Sequence, residues 1–163
     1  MAEIENLLSQ AYELCEDGNY SDALKLYDLA LKKEPKNIHA IIDKGVTLQN
    51  LGRLKQAIKL YDKALKIEPQ NIDALINKGS TLHTLGNYDE AIRCYDDALK
   101  IDKKCAMALA YKGLSLGELG NVTTALKHFK KALSIDENYD LASISKQMAQ
   151  DLLKSIKSKS KIQ

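Results

Sequence analysis

One spacing constrains this chain more than any other feature: small and aromatic residues recur every 34 positions. Gly18, Gly52, Gly86 and Gly120 are in phase, as are Ala23, Ala57, Ala91 and Ala125. Ala30, Ala64, Ala98 and Ala132 keep the same interval, and so does an aromatic at Tyr27, Tyr61, Tyr95 and Phe129. A further small position runs Ala11, Gly45, Gly79 and Gly113. Self-similarity at a period of this size marks stacked supersecondary units, each too small to bury its apolar face alone. Four units follow over 4–139, with boundaries at 4–37, 38–71, 72–105 and 106–139.

Within a unit the apolar spacing is helical. In the second, Ile41, Leu48 and Leu51 follow one helical run until Leu51-Gly52-Arg53 interrupts it. Ala57, Ile58, Tyr61, Ala64, Leu65 and Ile67 then form a second amphipathic run, closed by Glu68-Pro69 because proline disfavours a helical predecessor. Gly52 suits the left-handed turn after the first helix. Ser21, Asp89 and Thr123 stand where the N-caps of second helices are expected. Gly45 facing Ala57 would let the paired helices approach closely, with the Tyr61 ring filling the space between pairs. The fold class is all-α.

This order of small, Gly, Ala, aromatic, Ala and Pro residues resembles the tetratricopeptide repeat family over residues 4–139. The resemblance implies a right-handed α-solenoid of four tandem helix-turn-helix repeats. Two departures stand out. Aliphatics such as Ile41 and Leu48 replace the family's early Trp and Tyr, and Lys103 and Glu137 replace the closing proline present as Pro35 and Pro69. The last two turns are therefore expected to be looser. Pentatricopeptide repeats are a poorer match, because the period is strictly 34 and the glycine series follows the tetratricopeptide pattern.

The two ends differ from the middle. The first-helix face expected to pack on a preceding repeat reads Ala40, Thr47, Leu51; Ala74, Thr81, Leu85; Ala108, Ser115, Leu119. In the first repeat the matching residues are the polar Asn6, Glu13 and Asp17. Residues 140–156 form an expected capping helix that keeps Ala142, Ala149 and Leu153 but turns Ser143, Gln147 and Gln150 to its other side. Polar faces at both ends lead to the expectation of a complete array. Residues 157–163 read as a basic, disordered tail.

The resemblance also assigns a concave groove to the first helices. On the positions it implies, an apolar seam runs through Leu8, Tyr12, Ile42, Val46, Ile76, Ala110, Leu114, Ile144 and Met148, with Asp43, Asp73, Asn77 and Tyr111 among it. Glu5, Glu16 and Glu118 add acidic character to its border, while lysines concentrate on the second helices. Such a surface fits a partner helix or extended segment of another protein, with apolar anchors and basic flanks. The competing reading is that individual aliphatics here serve helix packing. The family's carboxylate clamp for acidic chaperone C-terminal tails uses Lys, Asn, Asn, Lys and Arg. Its positions hold Leu8, Tyr12, Asp43, Asp73 and Asn77 in one register, and Ile42, Val46, Asn77, Met107 and Tyr111 in the other. Neither set contains a cation, so chaperone-tail binding by that mode is not expected.

Other function classes find little support. Lys and Arg total 24 against 22 Asp and Glu, a net charge of +2 that gives no reason to expect nucleic acid or an anionic membrane as the main partner. Lys154, Lys157, Lys159 and Lys161 are the whole basis for a remote RNA-associated alternative, and they lack interleaved aromatics. No apolar run is long enough for a membrane helix. Cys15, Cys94 and Cys105 form no C-x-x-C pair and read as reduced thiols of a cytoplasmic protein. His39, His83 and His128 lie in different helices without metal-ligand spacing, and Asp96-Asp97 reads as solvated charge. No enzyme, metal or cofactor is expected. A homodimer through the apolar side of the capping helix is the main alternative.

Overall fold

Each 34-residue unit becomes two helices because one glycine stops the first and starts the second. At the first turn, the Gly18 N–H donates to the Cys15 carbonyl (3.0 Å) and the Asn19 N–H to the Leu14 carbonyl (2.7 Å). Gly18 itself sits at φ 75°. This pairing of bonds around a left-handed residue closes the helix C-terminus, and a side chain there would be strained. Gly52, Gly86 and Gly120 repeat it at φ 72–79°.

The computed structural model describes the backbone of residues 2–159 and the side chains of residues 3–154. In chain order the helices are α1 (Ala2–Glu16), α2 (Tyr20–Lys33), α3 (Ile38–Asn50), α4 (Leu54–Ile67), α5 (Ile72–Thr84), α6 (Tyr88–Ile101), α7 (Ala106–Glu118), α8 (Val122–Ile135) and α9 (Asp140–Lys159). They form four sequential antiparallel pairs and a capping helix, the architecture of a tetratricopeptide solenoid. Two compact units divide the chain, residues 1–81 and 82–163, with the boundary inside α5.

The tight turn corrects one expectation. Asn19, Arg53, Asn87 and Asn121, each directly after its glycine, occupy the N-cap positions of the second helices and make no side-chain cap bond. Ser21, Asp89 and Thr123 therefore fall inside the first turn. Side-chain caps instead serve first helices: the Ala40 N–H donates to Asn37 Oδ1 and the Ala74 N–H to Asn71 Oδ1, each at 2.9 Å. The turns lacking proline are not left open. Asp102 and Asp136 accept from the backbone N–H groups of Lys104 (2.9 Å) and Asn138 (3.1 Å), so a side chain braces what proline stiffens elsewhere.

Packing follows the repeated small and aromatic positions. In the first unit, Tyr61 is buried with Ile41, Ile42, Leu48, Ala57, Ala64 and Ala74. A Cβ added to Gly45 would lie 2.6 Å from the Tyr61 ring, so the glycine makes room for its own repeat's aromatic. In the second unit, a Cβ on Gly113 would lie 2.5 Å from Phe129. Of the expected inter-repeat face, Ala40, Thr47, Ala74, Thr81, Ala108 and Ser115 are buried, but Leu85 and Leu119 stay exposed beyond their helix ends. Asn6, Glu13 and Asp17 are exposed, as are Ser143 and Gln147, whereas Gln150 is half-buried. Helix α9 extends to Lys159, past the expected end at 156, since no Gly or Pro interrupts the Lys/Ser run there. The remainder of the expected tail, 160–163, lies outside the described residues.

Candidate functional site

Burial divides the residues assigned to the partner face. In the first unit, Ile42 is 7% exposed and Ile76 5% exposed; both belong to the core. Leu8, Asp43, Val46 and Asn77 are half-buried, while Asp73 is exposed and Tyr12 is 62% exposed. In the second unit, Ala110 is buried with Leu109, Ala132 and Ala142. Tyr111 and Leu114 are half-buried, whereas Ile144 and Met148 are 61% and 68% exposed. Ile42, Ile76 and Ala110 each follow a core residue directly (Ile41, Leu75, Leu109), and a single 100° helical step leaves their side chains within the packing. On the expected partner face, accessible apolar surface is carried by Tyr12 in the first unit and by Met107, Ile144, Met148 and Leu152 in the second; Leu29, Leu85, Ile101, Leu119 and Ile135 are exposed elsewhere.

Two hollows open beside these residues. One, of about 340 Å³, lies among α1, α2 and α3 and is lined by Tyr12, Glu16, Tyr20, Tyr27, Asp43 and Asn50, with Cys15, Val46 and Thr47. Burial pushes the Asp43 carboxyl above its ordinary value; His39 pulls it back and Asp73 adds a smaller push. The other hollow, of about 380 Å³, lies among α7, α8 and α9, where Leu114, Gly117, Val122, Phe129, Met148 and Leu152 line it. Its Gly117 has nothing within 4 Å of an added Cβ.

A hydrogen-bonded ladder joins successive repeats within each unit. Cys15 Sγ lies 3.3 Å from Thr47 Oγ1, and the Thr47 hydroxyl donates to the Asp43 carbonyl at 2.8 Å. Gln49 Oε1 accepts from the Thr81 hydroxyl (2.7 Å) and the Tyr61 hydroxyl (3.2 Å). In the second unit, His83 Nδ1 lies 2.9 Å from Ser115 Oγ. Burial lowers the His83 pKa, with Glu118 opposing the shift. At the α7–α9 contact the corresponding residues are Gly117 and Ala149, and the ladder has no rung. These rungs span 32 residues rather than 34, which hides them from a search at the repeat period; the visible trace is a polar residue followed by Thr or Ser at that offset. A second series pairs Lys44 with Asp28, Lys78 with Asp62 and Lys112 with Asp96. Asp96 is thus paired across repeats, and Asp97 pairs with Lys100.

The histidines are dispersed. His39 is exposed, and His128 Nδ1 lies 3.0 Å from the Thr124 carbonyl oxygen of its own helix. Among the described residues no group of three or more His, Cys, Asp or Glu side chains could hold a metal ion. None of their helices is long and apolar enough to cross a membrane.

Two tetratricopeptide repeat family models match residues 38–104 and 76–140, together well over half of the chain. The chain belongs to the tetratricopeptide repeat family. Solved tetratricopeptide structures share its fold. MamA is 22% identical, with 93% of this chain and 83% of that one covered at a TM-score of 0.76. PilF of Pseudomonas aeruginosa is 20% identical, with 93% and 69% covered at 0.85. The first repeat domain of Spaghetti (RPAP3), bound to an HSP90 peptide, is 20% identical, with 71% and 92% covered at 0.68. No curated protein matches the chain. Tetratricopeptide domains are general protein–protein interaction modules, typically non-catalytic, and bind peptides or proteins.

Proposed function

We propose that this tetratricopeptide protein is a non-catalytic scaffold or adaptor that holds a peptide segment or helix of another protein on its first-helix faces. The observation that carries the reading is the exposure of Tyr12, Ile144 and Met148 on those faces, with Tyr12 and Met148 each lining an open hollow. Water-facing apolar side chains grouped at hollows gain most from being covered, and a polar rim gives the contact its register. Asp43 and Asp73 supply acidic character in the first unit, so apolar anchors with basic flanks describe the partner. The acidic HSP90 peptide held by the Spaghetti domain would meet carboxylates here. A cytoplasmic location accords with Cys15, Cys94 and Cys105 forming no disulfide.

Ile42 and Ile76 are unsuitable test positions, since a glutamate at either would disrupt the core. The accessible set is the proper one. Wild type and the Tyr12→Glu, Ile144→Glu/Met148→Glu variants, each checked for retained helicity, are used to capture proteins from a lysate of the source organism. A protein held by wild type and lost by the variants is the expected result. Undiminished capture by every folded variant overturns the reading.

A second reading has its own observation: Ile144, Met148 and Leu152 form an exposed stripe on α9 that a second copy could cover. Light scattering separates the two. A mass that doubles with concentration, and is restored to monomer by Met148→Glu, favours self-association; a constant monomer mass removes it.

A further inference from the structure

We propose that the hollow among α1, α2 and α3 is a receptor for one arginine side chain of a protein partner. The inference rests on the scaffold reading and names the chemistry of one of its contacts. Three tyrosines, Tyr12, Tyr20 and Tyr27, and two carboxylates, Glu16 and Asp43, line the hollow, and no Lys or Arg does. Aromatic faces attract a cation through their quadrupole, and carboxylates accept its N–H groups. A planar guanidinium can use both at once, which a compact ammonium does less well.

The Asp43 carboxylate is the central group. It is half-buried, and among the described residues no side chain donates a hydrogen bond to it. Burial disfavours its charge and His39 offsets only part of this, so the isolated protein bears a desolvation cost that an incoming cation would reduce. The Thr47 hydroxyl is turned to the backbone carbonyl of Asp43 and to Cys15, which leaves the carboxylate available. A volume of about 340 Å³ admits a side chain rather than a folded element.

The other repeats do not reproduce this chemistry. At the Asp43 position they carry Asn77, Tyr111 and Ser145, and at the Tyr12 position Val46, Ser80 and Leu114. The combination of ring and carboxylate is particular to this hollow, which argues against its being a requirement of the fold.

The test uses the full ¹⁵N-labelled chain titrated with N-acetyl-arginine amide and with its neutral isostere N-acetyl-citrulline amide. Saturable shifts confined to the amides around Tyr12, Glu16, Tyr20, Asp43 and Asn50 are expected with the arginine probe. Citrulline should bind about tenfold more weakly, as should arginine to Asp43→Asn. Tyr12→Leu, at an exposed ring, should weaken binding about threefold. Asp22→Asn, an exposed carboxylate of α2 paired with Lys25, should leave it unchanged. Equal shifts from citrulline, shifts spread over every acidic surface, or no shift at saturating probe would each overturn the proposal. Because the probe needs no partner, loss of partner capture by the Ile144→Glu/Met148→Glu variant alongside a silent titration would retain the scaffold reading and reject the arginine site.

Discussion

The hollow at the first inter-repeat contact and the hollow at the last are built from the same repeat positions and differ in chemistry. Tyr12, Glu16, Tyr20, Tyr27 and Asp43 line one; their counterparts three repeats later are Leu114, Glu118, Val122, Phe129 and Ser145. Cys15 and Thr47 bridge the first contact, whereas Gly117 and Ala149 leave the last without a polar rung. Lys44 meets Asp28 at the first; at the last, Lys146 has Lys130 in the aspartate's place. Backbone and small-residue framework are constant while the lining changes. The scaffold thus separates what makes the fold from what selects a partner.

The sharpest way to test that separation is within one helix. Gly113, packed against Phe129, and Gly117, with open space beside it, both line the last hollow and lie four residues apart on α7. Gly113→Ala drives a methyl into Phe129, which is buried and cannot retreat freely, and should cost about 1–3 kcal/mol. Gly117→Ala meets open space and removes a helix-interior glycine, so it should stabilise by about 0.5–1 kcal/mol. Denaturant midpoints of the two variants should move in opposite directions. Destabilisation of similar size by both would mean that the lining is not free to vary.

The same division explains what could be read from the amino-acid order. Framework residues repeat at 34, so the helix pairs, their glycine turns and the buried Ala and aromatic positions were legible. The lining was only partly so. Asp43, Tyr12 and Met148 were placed on the partner face, but Tyr20 and Tyr27 come from a second helix and join them only after folding. Ile42, Ile76 and Ala110 occupy first-helix positions whose burial depends on how closely the neighbouring pair approaches, which residue type alone does not reveal. The N-caps were misplaced by two residues because a left-handed glycine lets one helix begin almost where the previous one ends.

The ladder provides a comparison of intermediate size. Tyr61 and Tyr95 occupy equivalent positions and are both fully buried. The Tyr61 hydroxyl donates to Gln49 Oε1 at 3.2 Å, whereas the Tyr95 hydroxyl has no hydrogen bond among the described residues, its neighbour Ser115 being engaged by His83. Tyr61→Phe should therefore cost about 1 kcal/mol, and Tyr95→Phe should be neutral or stabilising by up to about 1 kcal/mol. Thermal unfolding of both variants measures the difference. Equal losses would show that the unpaired hydroxyl finds a partner in solution.

The smallest expected effect concerns how α9 is held. Three Asp–Lys pairs recur sixteen residues apart, and the fourth such position carries Lys130 and Lys146. Lys130→Asp should complete the series and stabilise the α8–α9 contact by about 0.2–1 kcal/mol, the range for exposed pairs. Slower amide exchange along α9, reversed in 1 M salt where charges are screened beyond about 3 Å, is the signature. Lys130→Ala separates the causes: it removes repulsion without adding a pair, so it should recover only part of the gain. If alanine and aspartate protect α9 equally, removal of the Lys130 charge rather than a new pair accounts for the slower exchange.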